Sequence, residues 1–142
     1  MSKISKYCIY TIRRKDRLEE IISKGGEFKG DFTEKQSWKT GYALLKDAKQ
    51  ENLEMPIFFS AADDENATLM YVAFLKAIKV RNTGISPKGK KLFKTTYSFY
   101  KLRKLEDAQP LNSLVLRKGE KPLSDTFIHP YAICLSPSSF LY

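Results

Sequence analysis

Three consecutive carboxylates, Asp63, Asp64 and Glu65, are the residues of this chain that first suggest chemistry. They follow one apolar run, "MPIFFSA" (55–61), and precede a longer one, "ATLMYVAFLKAIKV" (67–80). Two-metal nucleases need several carboxylates converging on one point, usually with a lysine or histidine beside the attacked phosphate. Consecutive side chains in an extended segment diverge, and "DDEN" lacks the glycine and the spaced ligands of a calcium loop. A turn between two strands explains the same residues, because Asp and Asn favour turns. The turn is the expectation. The alternative is a small metal-dependent nuclease or nucleoside/nucleotide hydrolase built on Asp63, Asp64 and Glu65.

Other reactive groups are sparse. His129, the only histidine, titrates near neutrality and could serve as an acid or base, but no GxSxG-type nucleophile motif accompanies it. Neither Gly25-Gly26 nor "GISPKG" (84–89) matches a GxxxxGK[ST] or GxGxxG phosphate loop. Cys8 and Cys134 stand far apart, with no CxxC or Cys/His spacing near either. Two reduced, buried thiols are expected, with a disulfide between them as the alternative. No catalytic residue, metal or cofactor is assigned.

Charge carries the stronger signal. The 142 residues have a net charge of +9, yet ten basic residues and no acid lie between Lys76 and Lys104. The remainder of the chain holds 15 basic and 16 acidic residues, so all of the excess sits in one segment. A solvated face normally mixes its signs; segregation on this scale points to a polyanion. Tyr97, Phe99, Tyr100 and Phe93 are interleaved with these cations. Cations neutralise phosphates and aromatic faces stack on unpaired bases, the two contributions that nucleic-acid binding uses. Phe93 and Phe99 are expected in the core. Trp38, alone in "KQSWKTGYA" (35–43), either packs across a helix entrance or walls a site for a ligand or flipped base, with Lys39 beside it for a phosphate.

Composition and length fit one globular domain spanning 1–142, with no repeat and no apolar run long enough to cross a membrane. With no signal-peptide core, a cytoplasmic location is expected. "KYCIYTI" (6–12) reads as a strand, and "RKDRLEEIISKGG" (14–26) as a helix burying Leu18, Ile21 and Ile22 and stopped by its glycines. "EFKGDF" is a short strand. "SWKTGYALLKDAKQENLE" (37–54) is a second helix starting near Thr40, with Ala43, Leu44, Leu45 and Ala48 inward. "MPIFFSA" is a strand with Pro56 at its entrance. "TLMYVAFLKAIKV" (68–80) and "LFKTTYSFYKLRKL" (92–105), joined by the turn-rich "NTGISPKGK" (82–90), form a basic antiparallel hairpin. Phe93, Thr95, Tyr97, Phe99, Lys101 and Arg103 share one face of its second arm. "PLNSLVLRKGEKPLS" (110–124) holds a short helix and "PYAICLS" (130–136) a last strand. About six strands and two or three edge helices make the class α+β, with a strongly curved or barrel-like mixed sheet.

This layout, a first strand, a basic helix, a tryptophan before a second helix, then "MPIFFSA" and a long strand, resembles the PUA-like superfamily, which includes EVE, ASCH and YTH domains. The resemblance covers roughly Lys6 to Leu135. It implies a compact barrel with helices at its edges and a pocket for a nucleobase, often a modified one. By position, Trp38, Lys39, Phe59, Ser60 and Tyr71 would be the candidates for that pocket. The expectation is a module that binds RNA or modified DNA without a cofactor and away from membranes. Lys39, Lys79, Arg81, Lys88, Lys90, Lys91, Lys94, Lys101 and Arg103 would hold the backbone. A protein-interaction module for an acidic partner is a further alternative.

Overall fold

A strand such as "PIFFSA", apolar or small at every position, needs cover on both faces. In a computed structural model, which describes residues 3–34, 37–62, 68–123 and 131–137, it is buried at all six positions. The strands are β1 (Lys3–Ile4), β2 (Tyr7–Arg13), β3 (Phe28–Glu34), β4 (Leu53–Glu54), β5 (Pro56–Ala61), β6 (Leu69–Ile85), β7 (Lys91–Gln109), β8 (Val115–Leu116) and β9 (Tyr131–Leu135). The helices are α1 (Lys15–Ser23) and α2 (Lys39–Gln50), with one 3-10 turn at Leu111–Ser113. Seven strands form one mixed sheet in the order β3-β7-β6-β5-β2-β9-β8, and β1 pairs with β4. β2 and β5 are parallel and the other pairs in the large sheet are antiparallel. The class is α+β, as expected. The strands beyond the expected six are the two-residue β1, β4 and β8.

Because side chains alternate across a strand, β5 serves two cores. Ile57 and Phe59 join Trp38, Leu18, Ile21, Leu45, Tyr71, Tyr97 and Phe99 on the helix side. Phe58 joins Cys8, Tyr10, Val72, Leu105, Leu111, Leu114 and Leu123 on the other side, beneath the segment after β7. The buried stripe of α2 is Gly41, Leu45 and Ala48, with Leu44 half-buried. Ala43, expected inward, is exposed. The helix starts at Lys39 with Trp38 at the N-cap, so Thr40 is not the cap. No helix among the described residues is long and apolar enough to cross a membrane.

The basic hairpin forms as expected, and its turn is tighter than "NTGISPKGK" suggests. β6 continues to Ile85, and Ser86 and Lys90 close a three-residue loop, Pro87 to Gly89, where the Gly89 N–H donates to the Ser86 carbonyl at 2.9 Å. Gly89 has φ +80, the left-handed residue that follows a type I turn in a three-residue hairpin loop. β7 does not keep one face throughout. Lys101 has φ +57, and between the Phe74–Tyr100 and Val72–Arg103 pairs β7 carries one residue more than β6. That bulge shifts the phase, so Leu102 and Leu105 are buried while Lys101 and Arg103 are exposed.

The bulge rests on the end of α1. Leu102 N–H donates to the Gly26 carbonyl at 2.8 Å. Gly26 has φ +79, and a Cβ there would lie 2.7 Å from the Leu102 carbonyl oxygen. Gly26→Ala should therefore cost at least about 2 kcal/mol, combining left-handed strain with a backbone clash. Urea unfolding of the variant checks this, and an unchanged midpoint would show that the bulge does not depend on this close approach.

Candidate nucleic-acid interface

The hairpin outgrows its neighbours. β5 pairs with β6 only as far as Phe74, and β3 pairs with β7 only as far as Thr95. From Arg81 and Lys94 outward the two strands pair, among the described residues, only with each other, and no residue from 81 to 94 is buried. The free ribbon, Arg81 to Ile85 against Lys91 to Lys94, is about 14 Å long before the turn. Cross-strand partners share a face. Lys79 (opposite Thr96) and Arg81 (opposite Lys94) lie on one face, while Lys91 (opposite Ile85) and Phe93 (opposite Asn82) lie on the other. Lys88 and Lys90 are in the turn. None of Lys79, Arg81, Lys88, Lys90, Lys91 and Lys94 has an acidic partner among the described residues.

The structure brings together seven of the nine cations expected to hold a nucleic-acid backbone. Lys39, in the first turn of α2, reaches the ribbon with its Nζ 4.5 Å from the centroid of the Phe93 ring. Lys101 and Arg103 belong elsewhere. They follow the bulge, at least seven residues down β7 from Lys94, and Lys101 Nζ lies 3.9 Å from a Glu54 carboxylate oxygen. Lys76, part of the same basic run, pairs with Glu27 at 3.4 Å. One residue of this surface is absent from the sequence-based set. Tyr42, 47% exposed, lines a cleft of about 410 Å³ with Ile78, Lys79, Val80, Arg81 and Thr96. The signal for it is the true phase of α2, which turns residue 42 outward once 41, 45 and 48 face the core.

The expected base pocket is a filled core. Trp38, Phe59, Ser60 and Tyr71 are all essentially inaccessible. Phe59 and Ser60, being consecutive in β5, project to opposite sides of the sheet; the Ser60 hydroxyl accepts from Tyr10 OH at 2.8 Å in the second core. Tyr71 OH donates to Glu19 at 2.6 Å. Two tyrosine rings, Tyr97 and Tyr131, stack on the Trp38 indole at 4.5 Å each, with interplanar angles of 18° and 14°. The reading of Trp38 as helix-entrance packing is the one this geometry fits.

Trp38 is held by more than stacking. Its backbone N–H donates to the buried Thr95 hydroxyl at 3.1 Å, two residues from Tyr97 on the same strand. Gly41 N–H donates to Tyr131 OH at 3.0 Å, capping α2 from outside the helix. A Cβ at Gly41 would stand 2.9 Å from Ile9 Cδ1 and 3.0 Å from that hydroxyl, so a larger residue there requires the Ile9 and Tyr131 side chains to shift. β7 and β9 are four strand spacings apart in the sheet, about 19 Å if it were flat. Rings from both strands meeting one indole show that the sheet curls around it. No ladder among the described residues joins β3 to β8, so the curl stays open.

A second concavity lies where β2 and β5 end. One cavity of about 630 Å³ is lined by Arg14, Lys15, Asp16, Glu19 and Ala62, and an adjoining one of about 290 Å³ by Arg13, Arg17 and Glu20 among others. Its charges are largely spent internally. Arg14 pairs with Asp16 at 2.8 Å and Arg17 with Glu20 at 3.7 Å, and Arg13 Nε donates to Tyr97 OH at 2.8 Å. Asp63, Asp64, Glu65 and His129 lie outside the described residues. Among the described residues no cluster of three His, Cys, Asp or Glu could hold a metal ion. Cys8 and Cys134 are buried free thiols, directly opposite each other in the β2–β9 ladder. Burial pushes Cys134 up to about 12 and, with Cys134 nearby, Cys8 well above its ordinary value, so neither is a thiolate near neutral pH.

Compared with known proteins, the chain matches no protein-family model and no curated protein.

Burial also pushes the Tyr131 hydroxyl up to about 12, against the lowering influence of the Gly41 amide and Arg117. A folded-state value above the ordinary 10 means that the neutral phenol is favoured by the fold. Its contribution is complete below about pH 10 and is lost as the pH rises through about 12. Stability should fall across that window, and Tyr131→Phe should make the fall shallower, as read from urea midpoints against pH. An equally steep fall in the variant would show that Tyr131 does not carry it.

Proposed function

We propose that this protein binds nucleic acid through the β6–β7 ribbon. The observation that carries the reading is a set of six cations, five on the projecting ribbon and Lys79 at its base, without an acidic partner among the described residues. Structural lysines are usually offset by nearby acids, as Lys76 is by Glu27 and Lys101 by Glu54. The ribbon cations are not, and holding them together costs electrostatic energy that a polyanion relieves while its counterions are released. Lys39 and the Tyr42 cleft extend the same surface onto the start of α2. The backbone-holding role falls to Lys39, Lys79, Arg81, Lys88, Lys90, Lys91 and Lys94, and Trp38, Phe59, Ser60 and Tyr71 serve the fold. We also read the curled sheet with helices on its inner side as a barrel-like, PUA-like arrangement; the order of elements supports it.

Replacing Lys88, Lys90 and Lys91 together by Ala should weaken binding to oligonucleotides. The slope of log K against log salt should fall by about 1 for each phosphate left unneutralised, up to about 3. Fluorescence anisotropy titrations across a salt series measure both. A triple variant that binds RNA and DNA panels with the parent's affinity and slope would end the proposal.

A further inference from the structure

Resting on that reading, we infer that the ligand is duplex DNA, entered by the ribbon through its major groove. A single strand is read by successive bases stacking on exposed aromatic faces. The rings around the basic segment are not available for this. Trp38, Phe59, Tyr71, Tyr97 and Phe99 are buried, Phe93 is half-buried with the Lys39 ammonium over its ring, and Tyr100 is half-buried past Thr95 with its hydroxyl donating to Glu54. Among the described residues, Tyr42 is the one exposed ring beside the cations.

The ribbon itself matches a groove. Its cations lie on both faces: Lys79, Arg81 and Lys94 on one, Lys91 on the other, with Lys88 and Lys90 at the tip. A single phosphate line can engage one face at a time, whereas a groove presents a phosphate wall to each. A two-stranded ribbon with its side chains is about 10 Å thick. The B-form major groove is about 12 Å wide and 8.5 Å deep and admits such a ribbon, while the minor groove, about 6 Å wide, does not without being opened. The major groove of duplex RNA is deep and narrow and closed to side chains. About 14 Å of ribbon lies free of its neighbours, enough to span the groove depth.

Two exposed apolar side chains complete the match. Ile85 is 69% and Leu92 46% exposed, each near the tip among lysines. They face opposite sides, Ile85 beside Lys91 and Leu92 beside Gly84. Solvated lysine arms have no need of them. Near the tip of an inserted ribbon they sit deepest in the major groove, within reach of base edges, where the thymine methyl offers an apolar contact.

The test compares one mixed sequence as duplex DNA, as single-stranded DNA and as duplex RNA, using the intact chain and anisotropy at one salt concentration. Duplex DNA should bind tightest, by about tenfold or more, and bound protein should protect guanine N7, a major-groove atom, from dimethyl sulfate. The variant carrying Ile85→Ala and Leu92→Ala, both at exposed positions, should bind duplex DNA several-fold more weakly with an unchanged salt slope. Equal or tighter binding to single strands or duplex RNA overturns the inference, as does protection confined to adenine N3 in the minor groove. Those outcomes leave the nucleic-acid reading standing. Failure to bind any of the three ligands removes that reading itself.

Discussion

The Trp38 indole is the contact on which the other parts of the structure depend. A seven-stranded sheet twists, but twist alone does not bring its second and sixth strands to one point. Here Tyr97 and Tyr131, from those two strands, stack on the same ring. The backbone on either side is fixed by the same two strands, through Thr95 to Trp38 N–H and through Tyr131 to Gly41 N–H. One residue therefore sets the curl of the sheet, the position of α2 and the start of the helix together. Its full burial is what excludes it from ligand binding.

That constraint also explains why the hairpin projects. α2, anchored at Trp38, lies on the inner side of the sheet and packs Leu45 and Ala48 into the helix-side core. The Lys49 ammonium donates to the Lys76 carbonyl and ties the helix to β6. Beyond Val80 and Thr95 no side chain of the hairpin is buried, and among the described residues the Lys39 ammonium over Phe93 is the contact that reaches this ribbon from the helices. A ribbon without a core must be held by its own ladder and turn, which is the role of the Ser86–Lys90 loop. Lacking apolar cover, its side chains are released for solvent or for a partner.

Much of the fold is legible in the residues. The unbroken apolar character of "PIFFSA" marks a doubly covered strand, and the two basic arms around a Gly/Pro turn mark the hairpin. Local pattern does not show the Lys101 bulge, because nothing in "SFYKLRKL" signals a left-handed residue there; the bulge meets the distant Gly26, whose carbonyl accepts from Leu102 N–H. The phase of α2 departs from its apolar pattern for a similar reason. Gly41 is a poor helix former, yet it faces the core, packed close to the ends of the Ile9 and Tyr131 side chains. The expected base pocket fails at Phe59 and Ser60, where strand alternation alone argues against a shared wall. The surface cations are legible as a group, since charge segregation is a property of the sequence itself. Which of them converge is decided by register, and Lys101 and Arg103 fall on the wrong side of the bulge.

The central claim is that the ribbon, and not the buried aromatic stack or the cavity at the end of β2, meets nucleic acid. Backbone amide chemical shifts followed during a titration with nucleic acid test it most directly. The account predicts that the amides of residues 79–94, with those of Lys39 and Tyr42, move progressively while Phe59, Ser60 and Tyr71 stay in place. Shifts centred on Arg13 to Glu20, with the ribbon unmoved, would contradict it.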